Sequence, residues 1–374
     1  RAQGRRVDDA EKNARHYKHF SLMGVMDRMS EQVLNGSHFL PLRKSRIALG
    51  KTSVSGLFSK SGQRFVGIDI GSHAIKVVEL SRAHGAFRLH AYAIEPLAPL
   101  CTEDQTGADP KSVAQALTMA LERAGVVARE AVVAVSDTQV IGKTFEVQAG
   151  LSQEELELHV WLEAEQYLPY ALEDAALDFE VQEELSINPG QVSVLLVACR
   201  QETLAWYQAL LSCAGLQARV IDVQTHALAR AVLWMPSPAL QASGAVAVVE
   251  FATETTLLSI VQQGRVTHSR QLLFGAGEPC DEIFRALAVE HLSDGLEQIA
   301  GYGNDRPVAS IMLAGTGASR PGLDQWIETK LGLPACVANP FAFIDLDPAL
   351  APEALFCDAP MLLTAFGLAL RGFD

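Results

Sequence analysis

Phe65-Val66-Gly67-Ile68-Asp69-Ile70-Gly71-Ser72-His73-Ala74-Ile75-Lys76-Val77-Val78-Glu79-Leu80 decides how the rest of the chain is read. Two apolar, β-branched runs flank a short centre of Asp69, Gly71 and Ser72, the pattern of a β-hairpin whose turn carries small and polar residues. Gly71 lets the main chain take conformations that a Cβ resists and lets a ligand come close. N–H groups in such a turn can hold phosphate oxygens, with Ser72 adding a hydroxyl and Lys76 a point charge. Asp69 closes the first strand, placed to hold a magnesium ion through water. A buried hairpin with an ordinary turn glycine is the competing reading, and these residues alone leave both open.

Working outward, the 374 residues are enough for two domains, each with its own core. With 49% apolar and 20% charged residues the composition is that of a soluble globular protein. Six cysteines stand far apart without a C-x-x-C pair, and no H-E-x-x-H occurs, so neither a disulfide framework nor a zinc site is indicated. Reduced thiols in a cytosol fit this usage.

Charge is unevenly divided. Residues 1–64 hold 13 Lys and Arg against 5 Asp and Glu, whereas residues 65–374 hold 17 against 39. The basic leader has no sustained apolar period and no signal-peptide core, so it reads as a flexible arm. The acidic body argues against direct nucleic-acid binding. The uncharged run 231–249 is interrupted by Pro236, Pro238 and Gly244 and reads as a helix end, a loop and a new strand. Membrane association is therefore expected through partners.

The pattern along the chain alternates strands and helices in both halves, an α/β protein with mixed sheets. After the hairpin come a strand at 87–96, a loop over 97–109, a helix capped by Asp109 with Pro110 at its first position, and a continuous apolar strand at 131–136. A strand is expected at 144–147. Ser152 and Glu155 form a capping box before a helix ended by Pro169, with Glu154, Glu157, Glu163 and Glu165 on its acidic side and Trp161 assigned to the apolar side. Strands at 178–182 and 192–199 are joined through Asn188-Pro189-Gly190. A helix at 201–214, a strand at 218–223 and a helix at 225–233 complete the first half. The second half restarts with a strand pair, 245–251 and 256–262, echoing residues 65–80. Strands at 265–273 and 309–313 and helices at 281–300, 321–331 and 362–370 follow, with glycine loops at 275–277 and 315–317.

The strand-turn-strand at 65–80, its echo at 245–262 and the loop at 315–317 resemble the phosphate, phosphate and adenosine segments of the actin-like ATPase fold. GIDIGSHAIKVVELS, LEAEQYLPYALEDAALDFEV, VLLVACRQE, ARVIDV, RQLLFGAGE, IMLAGTGASRPGLDQWIETKLGLPACVANPF and AFGLALRGFD together resemble the PilM family of type IV pilus assembly, over residues 65–374. That resemblance implies an actin-like, ribonuclease H-like two-lobed α/β fold with mixed sheets: a first lobe at 65–235 with an inserted subdomain near 143–200, as in the division protein FtsA, and a second lobe at 244–374. It implies ATP and Mg contacts from Asp69, Gly71, Ser72 and Lys76, from Gly275 and Gly277, and from Gly315, Thr316 and Gly317, with Asp69 the one candidate for catalysis and for Mg through water. It also implies a cytoplasmic protein, peripheral at the bacterial inner membrane, whose first lobe grips the cytoplasmic tail of a PilN-type membrane protein, with the assembly ATPase and platform proteins as further partners. Trp161, Tyr167 and Tyr170 on or after the acidic helix are the aromatics expected to meet that tail.

Two departures bear on function. Relatives of this fold carry an Asp and, two residues later, a Gly in the second phosphate segment, where this chain has Glu250 and Ala252. The Cβ of Ala252 obstructs the close approach that phosphate binding uses. Residues 278–308 supply little more than one helix where the family has a longer base-covering insert, so nucleotide binding is expected to be weakened or lost. A non-catalytic scaffold is the first expectation. An active actin-like ATPase or phosphotransferase, with Asp69 positioning water and Mg, is the second. A filament former of the FtsA type is the third, disfavoured because no amphipathic membrane helix follows Leu370.

Overall fold

A computed structural model describes residues 63–97, 109–182, 188, 190–235, 244–301 and 307–374. The expectations for the leader up to residue 62, for most of the 97–109 loop and for the prolines after residue 235 lie outside the described residues.

Each lobe is built on the same strand order. In the first, β1 (Arg64–Ile70), β2 (Ala74–Ala83) and β3 (Ala86–Pro96) form an antiparallel meander, and β4 (Glu130–Val135) joins β1 in parallel. The inserted subdomain holds β5 (Ile141–Gln148), β6 (Ala175–Gln182) and β7 (Gln191–Arg200), and β8 (Gln217–Val223) returns to pair with β4. In the second lobe, β9 (Ala245–Phe251), β10 (Thr256–Gln262) and β11 (Arg265–Leu272) repeat the meander, and β12 (Val308–Gly315) joins β9 in parallel with β13 (Ala335–Val337) outside it. β1 and β9 are buried on nearly every residue, as strands covered on both faces must be, and their runs of Val, Ile and Phe satisfy this.

The inserted subdomain is a separate three-stranded sheet in the order β5-β7-β6, with the helix Gln153–Tyr167 on one face. Leu156, Val160 and Ala164 of that helix meet Val147, Val194 and Leu196 in a core of their own. The expected capping box is present: the Ser152 hydroxyl accepts from the Glu155 N–H, and the Glu155 carboxylate accepts from the Ser152 N–H at 2.8 Å. Asp109 caps the helix Pro110–Ala124, and left-handed Gly125 ends it.

The end of the expected second lobe does not stay in that lobe. The two-residue β14 (Asp345–Leu346) adds to β3, and the helix Leu363–Arg371 lies on β1, β2 and β4 and against the helix Gln224–Trp234. The physical reason is close approach. A Cβ on Gly67 would stand 2.1 Å from the Ala365 carbonyl oxygen, and one on Gly367 would stand 1.9 Å from that of Ala227. These glycines let helix backbone seat directly on strand and helix backbone. The result is one core cluster drawing Val78 and Leu89 from the first lobe, Val246 and Met312 from the second, and Leu363, Phe366 and Leu370 from the final helix.

Buried charge accompanies this seating. Arg371, 4% exposed, and Arg230 converge on Asp222, with Arg230 Nη1 at 2.9 Å from its Oδ2 and Arg371 Nε at 3.8 Å. Among the described residues one helical run, Pro352–Arg371, has the length and apolarity to cross a membrane, and 67% of its most apolar part is buried in this core. That run, and not 231–249, is the better candidate by composition, and its burial explains its hydropathy.

Candidate functional site: the inter-lobe cleft and the inserted subdomain

The β1–β2 register sets Asp69 directly opposite Lys76, and neighbours so placed in an antiparallel pair are within side-chain reach. Lys76 Nζ stands 2.9 Å from Asp69 Oδ2, with the two side chains 18% and 6% exposed. Glu250 on β9 of the second lobe is near enough for its charge to act on this pair. Burial pulls the Lys76 ammonium towards neutrality, but the Asp69 and Glu250 carboxylates outweigh it and hold its pKa above the ordinary value. Glu250 itself is pushed up, first by burial and then by Asp69 and Asp137, with Lys76 opposing. Asp137, in the turn after β4, is raised by burial although its Oδ1 accepts from Thr225 Oγ1 at 2.7 Å.

The turn itself is closed on its own groups. The Gly71 N–H donates to the Ala74 carbonyl at 2.9 Å, and Gly71 is not among the left-handed glycines. The conformational licence expected of it is therefore not used. The Ser72 hydroxyl is 2.7 Å from His73 Nδ1, and both side chains are exposed. In the second lobe the Ala252 N–H donates to Thr255 O at 2.9 Å.

The glycine loops of the second lobe approach the turn after β9 very closely. Gly315 has φ +79°, and a Cβ there would lie 2.3 Å from Phe251 O. Cβ atoms on Gly275 and Gly277 would lie 2.5 and 2.8 Å from Thr253 O, and one on Gly317 would lie 2.8 Å from Phe251 Cβ. The N–H groups of Thr316, Ala276 and Gly277 donate to the carbonyls of Phe251, Ala252 and Thr253 at 2.8, 2.7 and 2.7 Å. Arg320 binds the arrangement together. Its Nη2 donates to Ala276 O at 2.8 Å and to Glu278 O at 2.6 Å, its Nη1 pairs with Asp281, and its guanidinium lies 4.2 Å over the Phe284 ring. Composition gave no sign of Arg320; the loop it follows was the only signal.

These contacts bear on whether ATP and Mg suit the site. Asp69, the expected Mg-binding carboxylate, already holds an ammonium, and the Gly71 N–H expected for phosphate is spent on the turn. The space left by Gly275, Gly277, Gly315 and Gly317 is filled by neighbouring backbone and side chains of the chain itself. Among the described residues no three or more His, Cys, Asp or Glu group as metal ligands.

On the inserted subdomain the three expected aromatics separate. The buried face of the helix Gln153–Tyr167 is Leu156, Val160 and Ala164, and Trp161 lies about 100° round from Val160. Trp161 is half-buried on the flank of that face, about 60° from Ala164 on one side and from Leu158 on the other, and so borders the core-facing side to which its spacing assigns it. Tyr167 is 39% exposed with Lys143 Nζ 4.8 Å above its ring, and Tyr170 carries the Arg200 guanidinium at 4.5 Å. The expected first-lobe groove was not placed from the sequence; an open groove of about 330 Å³ lies there, lined by polar Ser112 and Gln115 and apolar Pro96, Leu97, Val113, Ala116 and Met119. Leu97 at its edge and Val140 at the stem of the inserted subdomain pack on one core cluster.

Two lobes of matching strand order that share a core, with an inserted subdomain in the first, define a protein of the actin-like ATPase fold. The family profile described as type IV pilus assembly protein PilM matches residues 67–299 and 282–373. A solved PilM-PilN type IV pilus biogenesis complex is 26% identical over 83% of this chain and 98% of its own, with a TM-score of 0.68. The ethanolamine utilization protein EutJ from Carboxydothermus hydrogenoformans is 15% identical over 82% and 89%, at 0.45. The cytoplasmic domain of EpsL, an inner membrane component of the type II secretion system of Vibrio cholerae, is 15% identical over 79% and 94%, at 0.39. The chain belongs to the PilM family of type IV pilus assembly proteins.

Proposed function

We propose that this chain is a non-catalytic scaffold of the type IV pilus assembly platform, cytoplasmic and peripheral at the inner membrane, which holds the cytoplasmic tail of a PilN-type protein. One observation carries the non-catalytic part: the Asp69 carboxylate that an ATPase would use is bound by Lys76 at 2.9 Å. Lys76 holds Oδ2 of that carboxylate and so competes with a magnesium-bound water for it, which supports weakened nucleotide binding. The relative solved as a PilM-PilN complex supports the choice of partner.

The first-lobe groove is the docking place for apolar residues of the tail. The helix of the inserted subdomain, with Glu154, Glu157 and Glu165, Trp161 and Tyr167, and Tyr170 just after it, meets its basic residues. Titrating a synthetic N-terminal peptide of the partner into the full chain tests this. Saturable binding is expected, weakened roughly tenfold or more by Met119→Arg, which puts bulk and like charge at a 45% exposed position of the groove. Failure of the peptide to bind, or indifference to Met119→Arg, overturns the docking assignment. Saturable Mg-ATP binding with turnover that Asp69→Ala abolishes overturns the non-catalytic part.

A further inference from the structure

We propose that the end of the first-lobe sheet opposite Asp69 is a lipid-facing surface, a rim of arginines that meets anionic phospholipid headgroups directly. This contact adds to the partner's tail, through which the reading above brings the chain to the membrane.

Strand register gathers the rim. Arg64, the first residue of β1, stands opposite Ser81, and Ser81 stands opposite Arg88. The two arginines therefore share one face of the sheet, about 10 Å apart. Arg82 is opposite Phe87 and projects from the other face. Parallel pairing of Val66 with Ala131 aligns Arg64 with Arg129, just ahead of β4, and Arg219 falls where β8 slips register against β4. Arg82, Arg88, Arg129 and Arg219 are exposed. Arg82 and Arg219 lie over the Phe87 and Phe65 rings at 5.3 and 6.0 Å, which holds their charge against the end of the sheet.

The acids of this end are already engaged. Glu79, 1% exposed, accepts from the Val127 and Ala128 N–H groups at 2.9 and 2.6 Å and pairs with Arg64 at 3.3 Å. Asp345 pairs with Arg88 at 3.6 Å, Asp347 stands 3.4 Å from His90, and Glu130 accepts from Gln63 at 3.3 Å. Among the described residues no carboxylate lies within ion-pair distance of Arg82, Arg129 or Arg219. Val127, two residues before Arg129, is 65% exposed, an apolar side chain beside cations as a headgroup boundary favours.

Charge favours a membrane over a nucleic acid. Residues 65–374 hold 17 Lys and Arg against 39 Asp and Glu, so a polyanion running along this body is repelled. A flat anionic surface meets the rim first, and a screening length of about 8 Å hides the acidic remainder from it. Residues 1–64, with 13 Lys and Arg against 5 Asp and Glu, join the sheet at this same end.

Flotation of the full chain with vesicles tests the rim. The wild type should float with phosphatidylcholine and phosphatidylglycerol vesicles, two to one, at low salt, come off as salt rises, and stay behind with phosphatidylcholine alone. Arg82→Gln, Arg129→Gln and Arg219→Gln together should weaken binding at least about tenfold, since one arginine near such a surface is worth about fivefold. Lys at the same three positions should keep it. Lys111→Gln, Arg200→Gln and Lys330→Gln together remove the same charge from exposed positions elsewhere and should also keep it. Equal losses in the two glutamine triples, loss with the lysine triple, undiminished binding by the rim triple, or no wild-type flotation overturns the proposal. A random DNA duplex that strips the chain from the vesicles, and that the rim triple no longer binds, overturns it in favour of a nucleic acid. The partner peptide separates the two readings. The rim triple should bind it as the wild type does, and flotation without any peptide binding sinks the docking assignment while the rim stands.

Discussion

Asp178 shows how much one buried side chain can cost. It lies on β6, 8% exposed, and its Oδ1 accepts from the Phe179 N–H at 2.9 Å. Burial pushes its carboxyl up to about 6, the Phe179 N–H and then Arg371 pull it back, and Glu180 pushes it further. The folded state therefore binds this proton more tightly than the unfolded state, whose carboxyl has its ordinary value of 3.8. Stability from this group is full below pH 4 and is lost as pH rises through about 6. A shift of this size is worth on the order of 2–3 kcal/mol at neutral pH. Asp178→Asn should raise the melting temperature at pH 7.5 and leave it nearly unchanged at pH 4. Equal gains at both pH values would assign the effect to packing. At this scale the sequence was only half legible. Asp69 and Lys76 were both recognised as site residues, yet as ligands for magnesium and phosphate. Counting outward from the turn, Ile70 with Ile75 and then Asp69 with Lys76, places opposite charges face to face and reveals a pair that satisfies itself.

Among the elements, those with long periodic patterns were legible to within a residue or two. β9 and β10 begin and end where alternation and burial runs place them, and Ser152 with Glu155 marked its helix because a capping box is a local device. β13 and β14, three and two residues long, have no period to read, and they exist only because a neighbouring edge strand accepts them. Two glycines had meanings that spacing hides. Gly67 lies inside the quoted hairpin and Gly367 inside an apolar helix, and each is needed because backbone from 300 or 140 residues away (roughly) presses on it. Gly367→Ala should lower the urea-unfolding free energy by about 3 kcal/mol or more, since the Ala227 carbonyl is part of a packed helix and has little room to yield. Gly142→Ala, where a Cβ meets nothing within 4 Å, should change it by less than about 0.5 kcal/mol. Similar losses at the two positions would show that helix seating does not decide the Gly367 effect.

For the molecule as a whole, the two-lobed α/β architecture was legible because the same strand-turn-strand arrangement recurs in both halves. The sharing of one core between lobes was not. Helical periodicity shows that 363–371 has an apolar face, but nothing local says whose core that face completes. In the structure it completes the first lobe's, through Gly67, Ala227 and the Asp222 charge cluster. Removing residues 363–374 should therefore damage the distant first lobe more than the adjacent second one. By hydrogen exchange, protection should fall in β1 and β4 while β9 and β12 retain theirs. Loss confined to residues after 244 would contradict this.

The long return of that helix also has a consequence for biogenesis. About 300 residues separate Gly67 from Ala369, so at ribosomal rates of 5–20 residues per second β1 waits roughly 15–60 seconds for its cover. Throughout that interval the face of β1 that this helix covers stands without that cover.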